Sequence, residues 1–407
     1  MTIKTRCTLC DHPNREIINL GNSPPANNFI DTVHDGIKSY PLILDYCDHC
    51  SGLQLRHTLE KELLYSEYTY LTPDTDSLTE HYQLIIDFLL NENYISQDTN
   101  CLEIGSNNGR FLKHLKSNVN SVLGVDPAKN VAEFAAELGI ETIVDFFSKQ
   151  IVDELKKKRE EIELIVARHM FAHNSNPNEI FEGIDDLLGN KGVILIENQY
   201  AFETLRTGAF DQIYHEHMFY YSVKNMKNYL KSHNYELNDI LLTEIHGGSI
   251  VFVGSRKGTF SISSNIKEQL DYEEDLLKDD LIFKEFIEVF EHVKTKVLNE
   301  LNQDISNSKK IIAYGAPAKA FTMFSALELD NSKIGACVDT SITKIGKIFP
   351  VFNIPVISER DLSQMEYDTV LVTAWNYKED ILKRSETLFR KGTKLIFPLP
   401  EYEIIYV

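Results

Sequence analysis

The sequence predicts an α/β protein: a small cysteine-rich N-terminal domain, a first strand–helix unit, and a second, smaller one at the C-terminus. Three observations carry that reading. Four of the six cysteines stand in two Cys-x-x-Cys pairs, Cys7/Cys10 and Cys47/Cys50, within the first 75 residues. Short apolar strands alternate with helical stretches between Asn100 and Glu197, the pattern of right-handed βαβ units on a parallel sheet. The alternation restarts at Lys310, after a long charged helical stretch.

A chain of 407 residues has room for two to four domains that each bury a core. Its 41 Lys+Arg against 61 Asp+Glu leave a formal net charge of −20. That field repels phosphate backbones and anionic bilayers, so neither nucleic acid nor membrane is an expected partner. A pocket with local positive potential can still take a small anion. The N-terminus, MTIKTRCTLC, has no apolar signal core, and apolar runs such as Leu84–Leu90 are far too short to span a bilayer. The expected location is the cytoplasm.

Residues 1–75 combine the four cysteines with turn signals at Asp11-His12-Pro13 and Gly21-Asn22-Ser23-Pro24-Pro25. Such a loop-rich segment cannot hold itself together by core burial alone. Two knuckles separated by 36 residues complete a tetrahedral S4 shell, the geometry zinc prefers. Redox pairs or free thiols are the alternative. Four cysteine ligands leave no position for a catalytic water, so the zinc is expected to be structural and linked to folding. Cys101 and Cys337 fall in apolar strands and read as packing residues.

A helix follows, with Leu84, Ile85, Phe88 and Leu89 at helical spacing. Asn100–Gly105 reads as a strand running into a Gly/Asn turn and a helix over Arg110–Lys116. Ser121–Val125 is a second strand ending in Asp126, and a helix over Asn130–Leu138 leads to a third strand, Glu141–Val144. Leu164–Ala167 and Val193–Glu197 are further strands around a helix over Glu179–Leu188. Glu268–Asn302 reads as a solvated helical connector. Beyond it, Lys310–Tyr314 runs into Gly315-Ala316-Pro317-Ala318-Lys319, Ile334–Val338 into Asp339, and Thr369–Thr373 into Ala374-Trp375-Asn376, with Lys394–Phe397 last. The expected boundaries are 1–75, 76–265, 266–303 and 304–407.

The turn Glu103-Ile104-Gly105-Ser106-Asn107-Asn108-Gly109 has an acid two positions before its first glycine, and the next strand ends in Asp126. This resembles the class I methyltransferases that bind S-adenosylmethionine (SAM). Small residues there let the backbone approach the cofactor, and the second-strand acid accepts the ribose hydroxyls. The G-x-G-x-x-G of dinucleotide binding is absent. Phe146, after the third strand, is placed either to stack on the adenine or to pack in the core.

Two segments are rich in titratable groups: Arg168-His169-Met170-Phe171-Ala172-His173 and Tyr214-His215-Glu216-His217. Imidazoles, a carboxylate and a phenol together suit proton abstraction beside a carbonyl. Metal binding by His215 and His217 lacks a third ligand, and a helix-start hydrogen-bonding role is the bland alternative. His246-Gly247-Gly248-Ser249 adds a histidine beside a flexible backbone.

In order and combination, these segments resemble the C-methyltransferases of nucleotide-linked keto-deoxysugars, over nearly the whole chain. Pro24-Pro25-Ala26-Asn27-Asn28-Phe29, Gly315-Ala316-Pro317-Ala318-Lys319, Asp339 to Pro350 and Trp375-Asn376 belong to the same resemblance. It implies three domains: a zinc-binding one, a SAM-binding class I core, and a Rossmann-like C-terminal one, with the substrate where they meet. It also implies SAM and structural Zn2+ as cofactors, and a diphosphate-linked keto-sugar as substrate, with thymidine the first choice of nucleoside and guanosine another. A base removes the proton next to the ketone, usually on carbon 3 of a 4-keto sugar, and the enolate takes the methyl group.

The resemblance makes His217 the base, Glu216 its orienting charge or the base itself, Tyr214 a contact to the sugar or enolate oxygen, and His173 a donor to the ketone. Glu103, Gly105, Asn107, Asn108, Gly109, Asp126, Phe146 and His169 would hold the cofactor. His215, His246, Lys319 and Trp375 would meet the substrate, Lys319 at its diphosphate beside a helix N-terminus, with an exposed surface lysine the alternative for that position. The chain departs from the family at Val251, where relatives often carry arginine. An O- or N-methyltransferase, or a non-catalytic SAM- or nucleotide-binding scaffold, are the competing readings.

Overall fold

The computed structural model describes residues 1–34, 36–65, 71–158 and 161–407. Its central sheet has seven strands: β1 (Asn100–Ile104), β2 (Ser121–Val125), β3 (Thr142–Ile143), β4 (Ile162–Arg168), β5 (Leu188–Gln199), β6 (Tyr235–Thr243) and β7 (Ser249–Arg256). Their spatial order is 3-2-1-4-5-7-6. Strands 1 to 5 are parallel, and β7 inserts antiparallel between β5 and β6. The strands are apolar on both faces because both are covered. Leu102, Ile104, Ile165 and Ile196 point into one core, while Cys101, Leu164, Val166 and Leu195 point into the other. A helix over Asp76–Asn91, capped by the Thr75 hydroxyl, covers the second face with Tyr82, Ile85, Ile86 and Leu89. Leu84 turns outward there, 46% exposed.

The N-terminal sheet comprises Arg15–Ser23, Tyr40–Tyr46 and Leu53–Leu55, with Phe219–Tyr220 added at its edge. That fourth strand comes from the segment after β5. Phe219 pairs with Gln54 and Tyr220 with Leu53, antiparallel, so the loop carrying Tyr214–His217 is stitched to the first domain.

The C-terminal sheet contains β8 (Ile311–Tyr314), β9 (Cys337–Asp339), β10 (Ile348–Phe349), β11 (Ile354–Ser358), β12 (Thr369–Val372), β13 (Lys394–Phe397) and β14 (Glu403–Tyr406), ordered 10-11-9-8-12-13-14. Short β10 and the terminal β14 are antiparallel edges the sequence pattern did not reveal.

The connector is two helices, Ser264–Leu276 and Leu281–Ser306, and here the solvated reading needs correction. Phe283, Phe286, Phe290, Val293, Val297 and Leu301 form a buried stripe on the second helix. It is a packed element, with most of its charge on the outer face and buried Asp304 paired with Lys394 at 2.6 Å. Among the described residues no helix is long and apolar enough to cross a membrane.

Candidate active site and metal centre

The four cysteines of the knuckles converge. Cys7 Sγ lies 3.6 Å from Cys50 Sγ, and Cys10 Sγ lies 3.5 Å from Cys47 Sγ. All four ligand atoms lie within 4.8 Å of one another and no disulfide joins them. With Zn–S bonds of about 2.3 Å, a tetrahedral shell has edges of about 3.8 Å, so the cluster fits zinc. Asn225 Nδ2 donates to Cys50 Sγ at 3.0 Å, and the bare Cα of Gly52 leaves room for that amide. No local pattern marks this outer contact, since the two residues are 175 apart. Cys101 and Cys337 are buried in β1 and β9.

A cavity of about 880 Å³ opens at the carboxyl ends of β1, β2 and β4 and extends to the C-terminal domain. Open α/β sheets bind ligands at such strand ends. Gly105, at φ +71°, passes so close to Met170 that a Cβ would lie 2.6 Å from that side chain. Asp126, at the end of β2, accepts the backbone N–H groups of Asn107 and Ala128, each at 2.9 Å. A carboxylate has about four lone-pair sites, so two stay available for a diol. Asn107 Oδ1 accepts the N–H of Thr72 (3.0 Å), and Asn108 Nδ2 donates to its carbonyl (2.8 Å). Both asparagines thereby tie the segment before the Asp76–Asn91 helix over the turn. Phe146 borders the cavity, with Lys61 Nζ 4.4 Å from its ring centroid. Gly109 does not border it. It starts the Arg110–Leu115 helix at φ +71°, and its hydrogen faces Ala135 and Ile140 at distances where a Cβ would crowd them.

Beneath the turn lies a buried charge cluster. Arg168 donates to Glu197 through Nε (2.8 Å), approaches Glu103 at 3.5 Å, and is sandwiched by Tyr82 and Phe111. His81 Nε2 meets Glu197 at 2.6 Å. Burial would raise the Glu197 carboxyl, but Arg168, His169 and His81 hold it well below the usual range. Glu103 is less compensated, and burial pushes it up to about 8 despite Arg168. Its Oε2 is buried with no hydrogen-bond partner among the described residues. Such an oxygen, bordering a cavity, fits an ammonium group. His169, at φ +49°, sits between Glu197 and the His246 ring, 4.7 Å away centroid to centroid.

The histidine segments meet across the cavity. His217 Nδ1–H donates to the Gln212 carbonyl (3.0 Å), which leaves Nε2 as acceptor for the Tyr214 hydroxyl at 2.5 Å. His173 lies 5.2 Å from His217 by ring centroids. Burial holds His217 well below its ordinary range and pushes His173 and His246 down to about 3, so all three rings are neutral. Glu216, also facing the cavity, is pushed up to about 8 by burial, with Asn27 and Lys344 pulling it back. The group that orients His217 is the backbone of Gln212, where Glu216 was expected. Sequence reasoning missed Gln212 because a carbonyl leaves no mark in the sequence.

Two expected substrate contacts stand behind the wall. His215 is fully buried, edge-on to Tyr40, and does not border the cavity. Alternation along the loop turns it toward the N-terminal domain while Glu216 faces the cavity. Trp375 is likewise behind the surface: its indole N–H donates to Asp211 (2.6 Å), and Lys319 Nζ rests 3.6 Å from its ring centroid. Lys319 and His246 do border the cavity. Burial lowers the Lys319 ammonium, and buried Asp211, 3.9 Å away, counters that. Val251 is buried inside β7.

Three family patterns tile the chain: a zinc binding domain over residues 7–65, a methyltransferase domain over 77–240 and a C-methyltransferase C-terminal domain over 244–400. The C-methyltransferase NovU of Streptomyces niveus is 29% identical over 404 residues, 98% of this chain and 96% of its own. These matches make the chain a SAM-dependent methyltransferase with a C-methyltransferase C-terminal domain. Strand order 3-2-1-4-5-7-6 in this methyltransferase is that of the class I core, and the cysteine cluster is its zinc site. Solved structures aligned with the chain include a SAM-dependent methyltransferase from Clostridium acetobutylicum (13% identity, 48% of this chain and 96% of that one, TM-score 0.36). Magnesium protoporphyrin IX methyltransferase from Synechocystis is another (9%, 46% and 91%, TM-score 0.36).

Proposed function

We propose that this methyltransferase acts on a nucleotide-linked keto-deoxysugar, placing the methyl on the carbon next to the ketone, carbon 3 of a 4-keto sugar, by way of an enolate. One observation carries the reading: Glu103 and Gly105, His217 with Tyr214, Glu216 and Lys319 all open on a single cavity. Bound SAM supplies the electrophilic methyl group. Glu103 would hold its ammonium and Asp126 its ribose, with Phe146 beside the adenine.

A carbon next to a ketone becomes nucleophilic only when it loses its proton. His217 is the base. Its tautomer is fixed by the Gln212 carbonyl, so Nε2 takes the proton directly or through the Tyr214 hydroxyl bonded to it. Neutral His173 donates to the ketone oxygen as charge develops there. Lys319, steadied by Trp375 and Asp211, meets the diphosphate. The nucleoside is thymidine first, guanosine second. A second assignment makes Glu216 the base, favoured by its carboxyl being pushed up to about 8, well matched to proton abstraction near neutral pH.

Proton exchange tests the reading. A thymidine-diphosphate 4-keto-6-deoxysugar incubated with the enzyme in D2O is expected to gain deuterium at carbon 3 and, with SAM, a methyl on that carbon by NMR. A methyl on oxygen or nitrogen, without exchange, would make the enzyme an O- or N-methyltransferase. Binding without turnover across keto-sugar nucleotides would leave a scaffold.

A further inference from the structure

Glu216 belongs to the loop after β5, yet the hydrogen bond it accepts comes from another domain. Asn27 Nδ2 donates to Glu216 Oε1 at 2.9 Å. Both side chains are buried, and both border the cavity. Asn27 follows Pro24-Pro25-Ala26 at φ +59°, a left-handed conformation that asparagine tolerates better than most residues. The strap beyond it is pinned from the C-terminal side. Phe29 packs edge-on against Phe321 and Phe349, and Ile30 bridges to Ile348. That same C-terminal domain supplies Lys344, buried on the cavity wall and donating to the Ala316 carbonyl at 2.9 Å.

We infer that Asn27 is a positioning residue which, together with Lys344, favours the carboxylate form of Glu216 against its burial, so the charge of the catalytic centre is assembled from three domains. The inference rests on the reading above that Glu216 works in that centre. In either assignment the carboxylate is the working form: as the base itself, or as the negative charge beside a protonating His217. Burial alone opposes that form, whereas an amide N–H and a facing ammonium favour it. The groups around Glu216 are few in kind. The strap presents the Asn27 amide, and the C-terminal domain presents Lys344, itself backed by Asp339; His217 and the Tyr214 phenol, on Glu216's own loop, bond to each other. A first domain that looks purely structural thus contributes an atom to the chemistry.

Two measurements on the zinc-loaded enzyme test this. Isotope-edited infrared difference spectra of 13C-glutamate protein, with Glu216→Gln as reference, read the Glu216 titration directly. The pH profile of kcat/KM reads its use. In Asn27→Leu both are expected to move to higher pH by about one unit, about a tenfold lower kcat/KM below the limb, with SAM affinity and zinc content unchanged. Lys344→Met, which leaves the first domain intact, should move them the same way. An unmoved Glu216 titration in both variants overturns the inference, as does a loss of kcat/KM equal at every pH. If Glu216→Gln turns over at the wild-type rate while the titrations shift as expected, the functional reading of Glu216 fails and the charge-setting role stands.

Discussion

His217 and Glu216 sit side by side in the sequence but are governed by different physics. The imidazole is a good acceptor because a carbonyl fixes its tautomer, and burial keeps it neutral. In His217→Asn the acceptor at Nε2 is lost, so carbon-3 deuterium exchange and methyl transfer should both fall by about 10²–10⁴-fold. SAM affinity, measured by calorimetry, should hold. Under the function proposed above, Glu216 is expected to set the pH dependence. Its carboxyl is raised by burial to about 8, and in the proposed role it would work deprotonated. The profile of kcat/KM should therefore climb to about pH 8 and fall about tenfold per unit below it; a profile flat from pH 6 to 9 would remove Glu216 from that role. At this scale, side chains with distinctive chemistry were legible. Glu103, Asp126, Tyr214 and His217 could be picked out because acids at strand ends and clustered histidines are uncommon patterns. The Gln212 carbonyl and the inward turn of His215 were not, since one is backbone and the other depends on how a loop is twisted.

Elements follow the same division between local and distant causes. Parallel strands buried on both faces announce themselves as short apolar runs, and β13 matches its expected span residue for residue. The edges β10 and β14 are short or half-exposed, so their pattern is weak, and only their pairing defines them. Charge misled in the connector. Acidic and basic residues crowd the outer face of the Leu281–Ser306 helix, and they mask an inner stripe that the 3.6-residue period does contain. Phe286 lies fully buried on that stripe. Phe286→Ala is expected to cost about 3–5 kcal/mol, visible as a lower midpoint in urea unfolding; a change under 1 kcal/mol, as for a surface helix, would contradict the packing described.

Across the whole molecule, the zinc centre and the Tyr214–His217 loop are neighbours. Cys50 accepts from Asn225 of the methyltransferase domain, and Leu53–Gln54 pair with Phe219–Tyr220, just beyond His217. Outer-shell partners of a metal tune its retention. Asn225→Leu is expected to lose zinc about 10–100-fold more readily to a chelator, and zinc-free protein should lose methyl transfer while its first 60 residues become open to protease. Unchanged turnover after complete zinc removal would uncouple the two. The pairing also bears on how the chain is made. Synthesis proceeds from the N-terminus at roughly 5–20 residues per second, so a nascent zinc domain waits on the order of ten seconds for the strand at Phe219–Tyr220 to leave the ribosome. Throughout that interval Leu53–Leu55 is an unprotected edge, open to neighbouring chains.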